Sequence, residues 1–337
     1  MPHTTPQDVH VNQAITVFSV AYRQELTDYI ATKFAPIIPS NKQSNIYFKY
    51  DKGDLLRNVA KVREPFAESE GTSVKLSTDG PFFCNVRAIH KDISFDTLAN
   101  YDNPLNPKRS AARDVVQWLM TGLEIDWASA FFKINVWAVD WTGTASTSNY
   151  ASGGTSFIKW DAANSDPLTD ISYARRLIHS KTGKWPNKIA FSDDVWNILK
   201  NHTKMIDRIK YTQRGNITRR TTDIVADLME LDEVLIASAV YNSAAENATD
   251  VVTNIMSNGV LLGFVEPNPA PETATACCTF IWDDLFGAVQ GEPQGMGMRM
   301  LDFPIIHRKL QRIEGEMPYD LKVIGSDLGL FMTSVIG

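Results

Sequence analysis

The stretch Asn106-Pro-Lys-Arg-Ser-Ala-Ala-Arg-Asp-Val-Val-Gln-Trp-Leu-Met-Thr-Gly-Leu-Glu-Ile-Asp-Trp-Ala-Ser-Ala-Phe131 is the most regular in the chain. It begins with proline at a first helical position, where the missing N–H costs nothing. Apolar residues then recur at Ala112, Val115, Val116, Leu119, Leu123, Trp127, Ala130 and Phe131, in steps of three and four. That spacing predicts one buried stripe on a helix of about twenty-five residues, on the order of 38 Å long at 1.5 Å per residue. A helix of this length is an architectural beam, and the rest of the chain is read as what hangs on it.

Upstream, residues 51–79 are charged and sparse in large apolar residues, with Lys, Arg and Glu interleaved and glycines at Gly53 and Gly71. This reads as a long excursion away from the body. It is bracketed by two β-prone runs, Asn45-Ile-Tyr-Phe-Lys-Tyr50 going out and Pro81-Phe-Phe-Cys-Asn-Val-Arg-Ala-Ile89 coming back, which predict a two-stranded projecting hairpin. Such a hairpin is marginal in water by itself and needs a partner surface. Further upstream, a weak helical pattern through Phe18, Tyr22, Leu26 and Ile30 stops before Pro36 and Pro39, as expected of a short helix on an extended arm.

Downstream, the Gly-, Ser- and Thr-rich residues 143–154 read as a flexible loop between subdomains. A helix opens near Asp166-Pro167, turns Ile171, Ala174, Leu177 and Ile178 inward, and stops at Gly183. Strand signals follow at 188–192, 234–237 and 260–265, with helix signals at 193–200 and 222–231, an alternation that indicates a mixed α/β subdomain. Residues 268–275 read as a loop. Residues 305–323 show long, imperfect alternation through Ile306, Leu310, Ile313 and Leu321, as in an extended strand pair.

At 337 residues, 44 % hydrophobic and 21 % charged, the chain can bury a sizeable core of two or three subdomains. A net charge of −6 and pI near 5.6 do not suit a protein that grips nucleic-acid phosphates. No stretch approaches the roughly 18 apolar residues of a membrane span, and the first ten residues lack the order of a signal peptide, so the expected place of synthesis is the cytoplasm. Cys84, Cys277 and Cys278 give neither a disulfide framework nor a CxxC metal pattern.

Catalytic patterns are likewise missing. The histidines, His3, His10, His90, His179, His202 and His307, have no ligand spacing. Asp193-Asp194 and Asp283-Asp284 read as caps and turns. Residues 291–298 hold closely spaced glycines without the Lys-Ser/Thr of a phosphate loop. The basic pairs Arg175-Arg176 and Arg219-Arg220 lack flanking aromatics and suit salt bridges between subunits. The expectation is a protein with no enzymatic activity, no cofactor and no metal.

The order of arm, charged projecting loop, long helix, α/β subdomain and returning long strand resembles the major capsid protein family of tailed bacteriophages, whose fold also builds encapsulin shells. Phe83-Cys-Asn-Val-Arg87 followed by Asp92-Ile, Asn100 and the long helix is similar to the strand that leads from loop to spine helix in one capsid subgroup. Thr182-Gly-Lys-Trp-Pro-Asn-Lys-Ile-Ala-Phe-Ser192, then Val195-Trp and Asp207-Arg-Ile-Lys-Tyr211, resembles the recurring helix, Pro-Asn turn, strand, short helix and basic turn of these proteins, and Tyr319-Asp-Leu-Lys-Val-Ile-Gly-Ser-Asp-Leu328 is similar too. The chain departs at Val86, where an acidic residue is usual, and at Glu124 and Asp126, where an Arg-Glu pair is frequent.

The resemblance implies an α+β capsid fold. It comprises an N-terminal arm (1–33), a peripheral domain (34–50, 89–160 and 300–322) with a spine helix over about 107–134, an extended loop (51–88) and an axial domain (161–299 and 323–337). It implies self-assembly as pentamers and hexamers into an icosahedral head around double-stranded DNA, with portal and scaffold proteins as partners during assembly, a decoration or cement protein as a further partner, and no membrane. The chain would be made in the host bacterial cytoplasm and end in the virion. The short arm also suggests a separate scaffold. Candidate contacts between subunits are Lys61, Arg63, Glu64, Glu68, Glu70 and Lys75 in the loop, and Trp185, Arg208, Lys210 and Arg214 near the axes. Some such shells are locked by an isopeptide bond from a loop lysine to a neighbour's asparagine. Lys61 and Lys75 lie in the corresponding loop, but no asparagine here matches the partner position. The other readings are an encapsulin-type compartment and an α/β hydrolase, which would need a converging nucleophile, base and acid.

Overall fold

A computed structural model describes residues 24–50, 52–101, 106–212, 221–269, 273–287 and 297–337. The regular stretch forms the foreseen spine helix, Pro107–Phe131, with the Asn106 side chain accepting from Arg109 N at 3.1 Å as its cap. It stops short of residue 134. Trp137 folds back there, its Nε1 donating to the Phe131 carbonyl at 2.8 Å, and so satisfies a group that a helix end leaves free.

The strands, in chain order, are β1 Ile37–Ser40, β2 Ser44–Tyr50, β3 Leu76–Phe83, β4 Asn85–Ser94, β5 Asp140–Thr144, β6 Ser156–Ile158, β7 Lys188–Ser192, β8 Glu233–Ala237, β9 Val240–Asn242, β10 Val252–Asn254, β11 Gly259–Gly263, β12 Cys277–Trp282, β13 Arg299–Ile305, β14 Leu310–Val323 and β15 Gly329–Thr333. The fourteen-residue β14 organises a five-stranded sheet. β4 pairs antiparallel along one edge, from Ser94 opposite Leu310 to Asn85 opposite Tyr319. β13 and then β12 pair antiparallel along the other edge, and β1 joins β12 in parallel. Gln311, Ile313, Gly315, Met317 and Tyr319 are buried at the period of two that a one-faced strand requires.

The spine helix lies across β14 and β4. Gly315 permits the close approach, since a Cβ there would come within 2.5 Å of Val115 Cγ1 and 2.8 Å of Leu119 Cδ1. Around this contact Phe34, Leu123, Trp127, Phe131, Phe331 and Met317 form one core. A second core of Trp141, Phe157, Trp160, Ile171, Phe191 and Leu330 belongs to a six-stranded mixed sheet, ordered β6-β5-β15-β11-β7-β8. Helices Pro167–Thr182, Asp193–Lys200 and Thr221–Met229 cover it.

Several expectations need correcting. The run 81–89 is not one strand: it breaks at Cys84, so β3 pairs with β2 while β4 leaves the hairpin to pair with β14. The Cys84 N–H, freed from both ladders, donates to the Gln43 carbonyl at 2.8 Å. Residues 29–33, expected in the arm, begin the body instead. Tyr29, Ile30 and Ala31 are buried, and the only helices here are a turn at Leu26–Asp28 and Ala31–Phe34; Phe18 and Tyr22 lie outside the described residues. The loop over 143–154 is shorter, because β5 reaches Thr144. The basic turn at 207–211 lies within a helix, Thr203–Thr212, and the terminal strand pair is 299–305 with 310–323, leaving Ile306 exposed in the turn between.

Candidate assembly surface

A polar cluster lies where the helix 167–182 meets the segment before helix 203–212. Ser165 is fully buried, and its hydroxyl donates to the Ala162 carbonyl at 2.6 Å. His202 Nε2 stands 3.0 Å from the Ser165 Oγ, a pairing that superficially suits a nucleophile and base. But Lys204 N donates to His202 Nδ1 at 3.3 Å, so the ring proton sits on Nε2 and points at the serine. Burial, with the Lys204 charge behind it, lowers the His202 pKa and keeps the ring neutral. Asp166 caps the following helix through Thr169 N and pairs with Lys204 at 3.0 Å. Asp170, pushed up to about 6 by burial, accepts from Trp160 Nε1 at 2.9 Å. Every member is occupied in holding chain to chain. Among the described residues no group of three or more His, Cys, Asp or Glu could hold a metal ion.

Two acids on the spine helix act in the same holding manner. Glu124 is completely buried, and its carboxylate accepts from Ile30 N at 3.1 Å and Ala31 N at 2.9 Å. It thereby fixes the start of the body to the beam. Its pKa rises to about 7 because burial outweighs those two hydrogen bonds and the nearby Lys33 charge. Asp126 faces the sheet, accepting from the Tyr319 hydroxyl at 2.6 Å and pairing with Arg87 at 2.7 Å. Arg87 also stacks over the Tyr319 ring, 4.1 Å from its centroid. Two of the three positions that depart from the family's pattern, Glu124 and Asp126, are therefore structural clamps.

The projecting loop is what the body cannot account for. β2 and β3 pair from Ser44 opposite Phe83 out to Tyr50 opposite Leu76, with a bulge between Ile46 and Tyr47. Beyond them Lys52–Leu55 makes one helical turn, and residues 57–74 are exposed without regular structure. Among the described residues the fastenings lie at the root: Lys52 pairs with Asp327, Asp54 accepts from Lys75 N at 3.1 Å and pairs with Arg57, and Leu56 lies beside Gly183. Lys61 and Glu70 tie the two limbs together at 2.7 Å. Arg63, Glu64 and Glu68 make no ion pair among the described residues. Val62 and Phe66 are 98 % and 106 % exposed, more than any other large apolar residue described, and Phe66 sits at φ 68. That left-handed backbone belongs to the turn Glu64–Ala67, which Ala67 N closes by donating to the Glu64 carbonyl at 3.1 Å.

The remaining candidate contacts lie around the second sheet, Trp185 in the loop that leads into β7 and the others described on the helix 203–212. Trp185 is half exposed and stacks on His179 at 4.0 Å, with the Arg175 guanidinium 5.4 Å away. Arg175 itself is buried and bonds Glu230 at 2.5 Å within the chain, which corrects its expected use between subunits. Lys210 pairs with Asp207 at 3.6 Å on its own helix, and Arg208 lies on that helix too. Arg214 and the pair Arg219-Arg220 lie outside the described residues, as do residues 291–296 of the glycine-rich run. Composition could not have revealed Glu124, Asp126 or Gly315 as key positions, because their partners lie far off in sequence.

Residues 137–294 match the family described as Phage major capsid protein E. Over 179 residues the chain is 23 % identical to the major capsid protein of Burkholderia phage BcepMu, an alignment covering 53 % of each, so the chain spans about half the length of this curated relative. Among solved structures, a phage-related protein from Bordetella bronchiseptica RB50 matches with TM-score 0.64 at 18 % identity over 93 % of this chain and 94 % of that one. The capsid of cyanophage P-SCSP1u matches with TM-score 0.57 at 13 % identity over 98 % and 95 %. The SrpI encapsulin of Synechococcus elongatus PCC 7942 matches with TM-score 0.53 at 12 % identity over 97 % and 96 %. At such identities the structures speak for the fold, which is that of capsids and encapsulins across nearly the whole chain. Family profile and fold agree with the arrangement of spine helix, long strand and projecting loop: over residues 137–294 the chain resembles the phage major capsid proteins, and nearly its whole length has the fold of capsids and encapsulins.

Proposed function

We propose that this protein is a shell subunit that self-assembles as pentamers and hexamers into an icosahedral phage head around double-stranded DNA, and that it catalyses nothing. The observation that carries the reading is the loop over 52–75, which exposes Val62 and Phe66 completely and, among the described residues, fastens to its own body at the root. Apolar side chains offered to water in this way mark a surface meant for a partner. Capsid relatives supply the natural one, a neighbouring copy. Individual exposed ion pairs contribute about 0 to 1 kcal/mol, so Lys61, Arg63, Glu64, Glu68, Glu70 and Lys75 suit register more than strength. Trp185, Arg208, Lys210 and Arg214 are assigned to contacts nearer the symmetry axes. Repetition through closed symmetry supplies the stability.

Portal, scaffold and decoration proteins, synthesis in the bacterial cytoplasm and residence in the virion follow from the same reading. DNA inside would be enclosed without sequence readout, its charge neutralised largely by counterions. The encapsulin fold likeness offers a second reading, a compartment filled with protein cargo. Size-exclusion chromatography with negative-stain imaging tests the main one. Megadalton shells, rings or sheets are expected, and a clean 37.6 kDa monomer would end it. Nuclease-protected DNA in particles from infected cells separates a phage head from a cargo compartment.

A further inference from the structure

Residues 24–34 run between the spine helix and the strands β7 to β9, and side chains fasten them on both sides. The Gln24 carboxamide pairs with the Val240 backbone as a strand would, its Nε2 donating to the carbonyl at 2.6 Å and its Oε1 accepting from the N–H at 2.9 Å. Ser238 Oγ donates to Asp28 at 3.3 Å, and Lys188 Nζ donates to the Lys33 carbonyl at 2.6 Å. Toward the spine helix, the Tyr29 hydroxyl bonds Thr121 at 2.9 Å and the Phe34 ring meets Trp127 edge-on at 5.6 Å. Glu124 takes the N–H groups of Ile30 and Ala31. Regular structure within the segment is limited to the turn Leu26–Asp28 and the four-residue helix Ala31–Phe34, so its seat depends on these contacts.

We infer that residues 24–34 form a strap whose opening is coupled to deprotonation of Glu124, so that it lifts from the spine helix more readily as pH rises. Glu124 is wholly buried, and both N–H groups it accepts from belong to the strap. Its carboxyl titrates at about 7, because desolvation outweighs those two bonds and the Lys33 charge. In a lifted strap the group meets water and returns toward its ordinary 4.5. The closed strap thus holds a proton that the open one releases: this part of its stability is complete below about pH 4.5, declines as pH rises and is gone above about 7. The other charged and titratable groups packed here have partners of their own. Asp28 accepts from Ser238, Lys188 pairs with Glu233 at 2.9 Å, and burial keeps the thiol of Cys277, 4.0 Å from the Phe34 carbonyl, protonated. Asp126, farther along the helix, is taken by Arg87 and Tyr319. Lifting the strap hydrates the carboxylate and leaves the helix's own backbone bonds intact, a smaller opening than unfolding the beam. The inference is independent of the shell reading.

Hydrogen exchange of the full chain, read by mass spectrometry across about pH 5 to 9 and corrected for the intrinsic pH dependence of amide exchange, tests the coupling. Protection of the peptide over residues 29–35 should fall at least about tenfold between pH 5 and 8 and then level off. The centre of the spine helix, residues 115–123, should stay better protected than the strap throughout, which marks the opening as local. Glu124→Gln should abolish the fall, because the amide never ionises. Lys33→Met keeps the carboxyl and removes the charge that favours its ionised form, so it should carry the fall to higher pH. An equal fall in Glu124→Gln, or equal protection of strap and helix centre at every pH, overturns the inference. A fall in Lys33→Met that ends where that of the unmodified chain does overturns it as well, and this second variant decides the matter if Glu124→Gln does not fold.

Discussion

Glu124 concentrates the chemistry of this chain at the scale of a single residue. Its carboxyl titrates near 7 in the folded protein, above its ordinary value of 4.5. Between those values the native state binds more protons than the unfolded chain, so the group's favourable contribution is complete below about pH 4.5 and is lost as pH rises through 7, in total on the order of 3 kcal/mol. Denaturant unfolding from pH 4.5 to 8 should therefore show Glu124→Gln gaining on the unmodified chain by about that amount as pH rises, because the amide oxygen still accepts from the backbone and never ionises. A difference independent of pH would show that the carboxylate is not buried as described. Glu124→Ala should instead lose roughly 2–4 kcal/mol at pH 4.5, since two buried N–H groups lose their acceptor, and the deficit should shrink as pH rises because alanine does not ionise either. Read from sequence, Glu124 was only a departure from a family pattern. Its role is invisible there because Ile30 and Ala31 lie more than ninety positions away.

At the scale of elements, the helix and strand patterns were legible because amphipathic periods are local. The spine helix, the helix capped by Asp166 and ended by Gly183 at φ 73, and the strands at 188–192 and 233–237 all follow their sequence signals. The failures share a cause. The run 81–89 looks like one strand because its β propensity is continuous, yet pairing partners change at Cys84, and pairing is a tertiary matter. Contact between the spine helix and β14 is similarly non-local. Gly315→Ala should destabilise the subunit by about 1–3 kcal/mol, because the added methyl group presses on Val115 and Leu119. Urea unfolding checks it, and an unchanged midpoint would mean that the two elements are not so closely packed. Replacing residues 57–70 by a short Gly-Ser link should leave the unfolding midpoint of the isolated subunit nearly unaltered, since that segment contributes no buried residue, and should abolish particles.

For the whole molecule, stability and assembly are coupled by mass action. A subunit that binds its neighbours only when folded gains stability from them, so particles should melt at a higher temperature than unassembled subunits, and by more as concentration rises. Calorimetry of both forms measures this, and coincident transitions would argue against neighbours sharing surface. The two cores divide the labour. The five-stranded sheet with the spine helix carries the loop outward, and around the six-stranded mixed sheet stand the connecting loop of Trp185 and the helix of Arg208 and Lys210.

By itself the sequence determined which segments are helix and strand, which loop leaves the body, and the absence of any recognisable catalytic spacing, since all of these are written in composition and in periods of 2 and 3.6 residues. Its resemblance to phage capsid proteins supplied the order of parts. Only the tertiary structure decided where the hairpin ends and β4 begins, that residues 29–33 belong to the core, that Arg175 is spent within the chain, and that Glu124 and Asp126 clamp the two sides of the beam. Each of those depends on groups brought together across tens to hundreds of residues, and burial sets the cost of leaving such groups unpaired. A local pattern cannot carry that information.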